Sequence, residues 1–175
     1  YPRFVVHPFV KELAERVAGK GAALPFASET AAKSCARHIH RHASEPSEIL
    51  AAKGYWVVTT TPSGAAALMG FWQHAGVVMS SRRARALLDG RPEAADTPEI
   101  LGSLRKRLAD LYDCAEDDVF LAPSGMAAQY AALRAVSARS PGNPTIQLGF
   151  PYVDTLKLQQ KLGVGGILLH QLGSI

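Results

Sequence analysis

The chain is predicted to be an α/β protein: a mostly parallel sheet with helices packed on its faces. Three observations lead there. From residue 118 onward apolar strand-like runs (118–122, 145–148, 166–170) alternate with helical patterns (124–137, 152–162), an order that favours parallel pairing through crossover helices. Residues 55–61, Tyr-Trp-Val-Val-Thr-Thr-Thr, form the strongest strand by composition. Before them, Phe9, Val10, Leu13, Ala14 and Val17 recur at helical spacing with Lys11, Glu12, Glu15 and Arg16 between them.

In chain order, that first amphipathic helix ends at Gly19 to Gly21, and a short apolar segment over 22–26 leads to Ser28. Ser28 is an N-cap candidate for a helix reaching about His42, because its hydroxyl can accept from an amide of the first turn. Residues 43–53 read as a loop. After the strand at 55–61, Pro62-Ser63-Gly64 starts an apolar helix that runs to Trp72. The pattern turns helical again after Arg82 and breaks over 89–98, with Thr97 as a cap for the next helix. There Leu101, Leu104, Leu108 and Leu111 make a stripe, with Arg105, Lys106 and Arg107 turned outward. Strand–Pro-Ser-Gly–alanine-helix units occur twice, around residues 57–67 and 119–128, but their flanks match at no constant spacing and they are not a repeat.

At 175 residues the chain can bury a core as one domain or as a domain plus part of another. It opens on Tyr1 and stops at Gly173-Ser174-Ile175, which reads as a piece of a longer protein. The net charge of +4 is spread among acids, and Arg82-Arg83-Ala84-Arg85 lacks interleaved aromatics, so no nucleic-acid partner is expected. No apolar run is long enough to span a bilayer, so no membrane partner is expected. Cys35 and Cys114 fit a reducing compartment, with a cytoplasmic location as the expectation.

The most informative stretch is residues 119–130. An apolar run ends at Pro123, and Ser124-Gly125-Met126 turns straight into an alanine-rich helix. Gly125 lets a ligand approach the backbone, and the first amides of a helix lack intrahelical acceptors. With the positive end of the helix dipole they make a seat for a phosphate group. Other candidates are weaker. Cys35, His38 and His42 share one helical face, but three ligands from one helix is awkward for zinc and no metal site is expected. Gly163-Val164-Gly165-Gly166 follows a helix and reads as its C-cap and turn. Ser63 and Ser124 lack the setting of a hydrolase nucleophile.

The pair Ser124-Gly125-Met126-Ala127-Ala128 and Phe150-Pro151-Tyr152-Val153-Asp154-Thr155 resembles the Cys/Met-metabolism family of pyridoxal-phosphate enzymes. The opening Tyr1-Pro2-Arg3-Phe4 with His7-Pro8, then Phe71-Trp72-Gln73-His74 with Gly76, and Ser80-Ser81-Arg82 are similar to the long, fungal-type cystathionine gamma-synthases. The resemblance implies part of the large domain of a fold-type I transferase, with an N-terminal α/β extension over residues 1–78 and the truncated start of the cofactor domain over 79–175. It implies pyridoxal 5'-phosphate as cofactor, with the amides of Gly125 and Met126 on its phosphate and the Tyr152 ring stacked on its pyridine. Arg82 would reach the cofactor phosphate of a neighbouring subunit, so the parent would be a homo-oligomer, dimer or tetramer, acting on small amino-acid substrates. Ser80 departs from the tyrosine that most of the wider family has there.

Without the resemblance, Tyr152 is a half-buried ring at a helix start, Gly125 a packing glycine and Arg82 one member of a solvated basic turn. No catalytic residue is assigned within the chain. The family's Schiff-base lysine follows a serine-containing strand end downstream, and none of Lys11, Lys20, Lys33, Lys53, Lys106, Lys157 and Lys161 has that setting. The implied parent joins cysteine to an O-acylhomoserine in transsulfuration and methionine biosynthesis, and this piece is expected to be inactive alone. The alternatives are a related cystathionine lyase or homoserine sulfhydrylase, or a non-catalytic binding or assembly module. A reading frame continuing into a strand that ends Ser-x-x-Lys favours the enzyme, and a stop after Ile175 favours the module.

Overall fold

A computed structural model describes residues 5–91, 98–149 and 152–170. The opening Tyr1-Pro2-Arg3-Phe4, the Thr97 cap, Phe150-Pro151 and the closing residues lie outside them. The element order is α1 (Pro8–Ala18), β1 (Ala22–Phe26), α2 (Glu29–Ala43), β2 (Ser47–Ala52), β3 (Tyr55–Thr60), α3 (Ala65–Ala75), α4 (Ser81–Leu88), α5 (Pro98–Tyr112), α6 (Gly125–Arg139), β4 (Thr145–Leu148), α7 (Val153–Leu162) and β5 (Gly166–Leu169). The fold is α/β as predicted, but the mostly parallel sheet is not what the described residues form. β1, β3 and β2 make an antiparallel sheet in that order, and only β4 and β5 pair in parallel.

The cause of the antiparallel pairing is a segment the sequence reading took for a loop. β2 returns to β3 through Lys53-Gly54, with Gly54 at φ +83°, and so short a connection permits only a hairpin. β3 is therefore the central strand, and period-two alternation buries both of its faces. Val58, with Leu24 and Phe26 of β1, packs against Ala32, Cys35 and Ile39 of α2 and Leu68, Phe71 and Trp72 of α3. Tyr55 and Val57 face the other way, onto Val10, Leu13 and Ala14 of α1 and Ala84 of α4. Helices thus cover both faces of this small sheet.

A second correction concerns residues 118–122. The predicted strand is absent: a single 3-10 turn at Glu116–Asp118 leads into irregular chain, and Phe120 is 87% exposed. Apolar composition alone does not make a strand where no ladder partner accepts its backbone groups. Likewise α5 forms where the leucine stripe predicts it, yet Leu101, Leu104 and Leu111 stay exposed and Ala109 alone is buried on that helix among the described residues. Of the exposed large apolar side chains in the described residues, all but Val5 lie after residue 98. The core therefore sits in the first ninety residues, and the second half carries apolar surface.

Candidate phosphate-binding site

Ser124 is the N-cap of α6, in extended conformation, and its Oγ accepts from the Ala127 amide at 3.1 Å. The same hydroxyl donates to the carbonyl of Gly76 at 2.9 Å. Gly76 ends α3 in the left-handed region (φ +68°), and a Cβ there would lie 2.5 Å from the Ala127 nitrogen and 2.6 Å from Met126 Cβ. The end of α3 and the start of α6 are thus pressed together, backbone against backbone, with a glycine at the contact. Ser124→Ala removes both bonds and is expected to cost about 1–2 kcal/mol in a urea melt. A variant as stable as the parent would show that the cap carries nothing.

Gly125 and Met126 occupy the first two helical positions, whose amides have no intrahelical acceptor. A Cβ built on Gly125 meets nothing within 4 Å, so packing does not require glycine there and the space beside its backbone is open. The two residues line a cavity of about 530 Å³. His7, Ser80 and Ser124 line it too, and each is a helix N-cap, of α1, α4 and α6 respectively. Three helix N-termini therefore meet at one cavity, and among its lining residues none is acidic. Each contributes partial positive charge, an arrangement suited to an anion. Gly125 and Met126, the residues to which the resemblance assigns the cofactor phosphate, thus border open space at a helix start.

The other two site residues stand apart from this cavity. Arg82 is exposed and lines a different cleft with Phe9, Arg85 and Arg91. Its neighbour Ser81 borders both spaces, so Arg82 sits one residue from the cavity without lining it. Tyr152 caps α7 and is 52% exposed. Three residues on, Thr155 Oγ1 donates to Gln129 Oε1 at 2.7 Å, which ties the first turn of α7 to the second turn of α6. Tyr152 itself does not line the cavity. Sequence reading did not single out the N-cap role of His7, whose Nδ1 accepts from the Phe9 amide at 3.2 Å. The signal was there in Pro8, which suits the first position of a helix. Ser80, the departure from the wider family, accepts from the Arg83 amide at 3.1 Å and caps α4.

Cys35 and the two histidines His38 and His42 sit in different settings. Cys35 is fully buried against the sheet, where burial pushes its thiol far above the ordinary range. His38 and His42 stack at 4.3 Å between ring centroids. Among the described residues, no group of three or more histidine, cysteine or acidic side chains is placed to hold a metal ion. Burial, then the positive neighbours His42, Arg41 and His74, lower His38 from 6.5 to about 4. Between those values the unfolded chain binds the extra proton, so stability falls as pH drops from about 6.5 to about 4. His38→Gln should flatten the pH dependence of the urea midpoint in that window; an unchanged slope would refute the assignment.

Among known proteins, the chain is 34% identical over 177 residues to an L-2-amino-4-chloropent-4-enoate dechlorinase/desaturase of Streptantibioticus cattleyicolor, covering 92% of this chain and 35% of that protein. It is 44% identical over 64 residues to a cystathionine gamma-synthase of Neurospora crassa, 34% of this chain and 10% of the relative. It is also 45% identical over 56 residues to a cystathionine gamma-synthase-like enzyme of Amanita muscaria, 32% of this chain and 9% of the relative. The chain thus spans about a third of the first relative's length, and the other two matches about a tenth of theirs. No protein-family model matches the chain, and no solved structure matches it. These similarities, two of them to proteins named as cystathionine gamma-synthase or like it, support the pyridoxal-phosphate enzyme family of Cys/Met metabolism and do not single out its fungal type. Among the described residues no helix is long and apolar enough to cross a membrane.

Proposed function

We propose that this chain is the phosphate-holding portion of a pyridoxal-phosphate-dependent enzyme of the cystathionine gamma-synthase type. The observation that carries the reading is the meeting of three helix N-termini at one cavity beside the open backbone of Gly125. In this reading residues 1–78 are an N-terminal extension and residues 79–175 open the cofactor domain. The amides of Gly125 and Met126 donate to the phosphate, while Ser124, held by Gly76 and Ala127, keeps them in place. Each such charge-assisted bond contributes about 1.5–3 kcal/mol. The Tyr152 ring covers the flat face of the cofactor, a stacking that its exposed position leaves open to it. Arg82 serves a second copy of the chain rather than its own cavity, which agrees with its place on a separate cleft. Pyridoxal phosphate, when bound, supplies an electron sink for loss of the γ-substituent of an O-acylhomoserine and addition of the cysteine thiol.

The exposed stripe of α5 and the apolar side chains of the second half support a larger assembly, in which further chain or a second copy covers them. The substrates and the homo-oligomeric state are part of this proposal. So is inactivity of the chain by itself, because none of its lysines has the setting the covalent attachment needs. Incubated with pyridoxal phosphate, the purified chain should bind it through the phosphate and retain no absorption band after dialysis. Pyridoxal without phosphate should bind roughly tenfold more weakly or worse. Equal binding of the two forms would overturn the phosphate seat, and a band that survives dialysis would overturn the claim of inactivity.

A further inference from the structure

A small crevice of about 30 Å³ lies between α2 and α6, lined by Arg37, His38, Arg41 and His42 of the first helix and Arg134 of the second. It shares no lining residue with the cavity at Gly125 and Met126. Arg134 is nine positions past Gly125, about 13 Å further along α6 at 1.5 Å per residue.

Some exposed helical bases of this chain pair with acids one turn away: Lys11 with Glu15, Arg16 with Glu12, Lys33 with Glu29 and Arg85 with Asp89. On α2 the same spacing sets Arg37 against Arg41, and like charges so placed destabilise a helix by a few tenths of a kcal/mol. Bases in the last turn of α2 are explained by its C-terminal dipole. That does not explain Arg37, a turn further in, or Arg134, in the body of another helix. Among the described residues, no carboxylate pairs with Arg37, Arg41 or Arg134.

We propose that this crevice binds one oxyanion group of a small molecule, a phosphate or a carboxylate, between the guanidiniums of α2 and α6. Its volume has room for about two water molecules, which suits the oxygens of one such group and excludes a stacked base. Ser34, Phe71, Tyr130 and Leu162 complete the lining, and the apolar surface of the last three limits water on one side and strengthens the charge pairing. Arg37 is already oriented by a bond from Nη2 to Ser34 Oγ at 3.1 Å. His38 reports on occupancy, since a bound anion offsets the positive groups that face it: His42, Arg41 and His74. The remaining ring contact, with Phe71 at 5.6 Å, carries no charge.

The test titrates the chain with inorganic phosphate and, separately, with succinate, following the imidazole signals by NMR. A saturable shift of the His38 signal and a rise of its pKa from about 4 toward the ordinary value are expected with at least one probe. Response to phosphate alone assigns a phosphate ester, and response to succinate alone a carboxylate. The double variant Arg41→Gln/Arg134→Gln, at exposed positions, should weaken binding roughly tenfold or more at unchanged melting temperature, with Lys at both positions restoring part of it. The proposal is overturned if neither probe moves His38, or if the Gln variant binds as the parent does. It is equally overturned if phosphate perturbs only the amides of Gly125 and Met126, a result that would support the other cavity alone.

Discussion

Gly76→Ala is expected to destabilise the chain by about 2–5 kcal/mol, measured as a lower urea midpoint at unchanged slope. Two causes add. The left-handed backbone at φ +68° costs a non-glycine residue about 1–2 kcal/mol. The new methyl would lie 2.5 Å from the Ala127 nitrogen and 2.8 Å from the Met126 carbonyl carbon, both main-chain atoms that cannot swing aside. The start of α6 must therefore move, for about 1–3 kcal/mol more. Gly54→Ala separates the causes. Gly54 has φ +83°, but its added Cβ meets only Leu87 Cδ2 at an ordinary 3.6 Å, so it should lose the backbone term alone. If the two variants prove equally stable, the α3–α6 contact is looser than the structure has it. Because the displaced atoms belong to the proposed phosphate seat, Gly76→Ala should also weaken phosphate binding while Gly54→Ala leaves it unchanged.

Phe71→Ala is expected to cost about 3–5 kcal/mol, the loss typical of a large aromatic taken from a filled interior. Phe71 is almost wholly buried and holds three elements at once. Its ring meets Phe26 of β1 at 6.1 Å, His38 of α2 at 5.6 Å, and Tyr130 of α6 edge-on at 5.8 Å. It is thus a bridge between the antiparallel sheet and the helix that carries Gly125. Hydrogen exchange should quicken in α6 as well as around the sheet. Exchange that quickens only near the sheet would show that α6 is held by other contacts. Phe71→Leu, which keeps most of the volume, should cost under about 1.5 kcal/mol.

The sequence was legible where a cap or a strong period marked the element. Ser28 caps α2 as read from its position, and the helices expected from Ser28 and Ser124 end within two residues of expectation. β4 matches its predicted span, and α7 and β5 follow it in the expected order. β2 escaped because Ser-Glu-Ile-Leu-Ala-Ala is poor in strand formers; its pairing is imposed by the Lys53-Gly54 turn and the strength of β3. The sheet was read as mostly parallel for want of that one strand. The leucine stripe of α5 was visible, but not that nothing in the described chain covers it, because an apolar period specifies burial without naming the partner. For the candidate site, the Ser-Gly-Met turn was legible from its residue types. The contributions of His7 and Ser80 were not, since they arise from packing between segments more than forty residues apart.

The hairpin of β2 and β3 pairs residues three to thirteen positions apart, and β1 closes onto β3 across fewer than forty. Contacts of such low sequence separation form early, at little cost in loop entropy. During synthesis this module is complete before α6 has left the ribosome. The nascent anion seat is therefore assembled onto a preformed platform, and Gly76 is the surface on which its last helix lands.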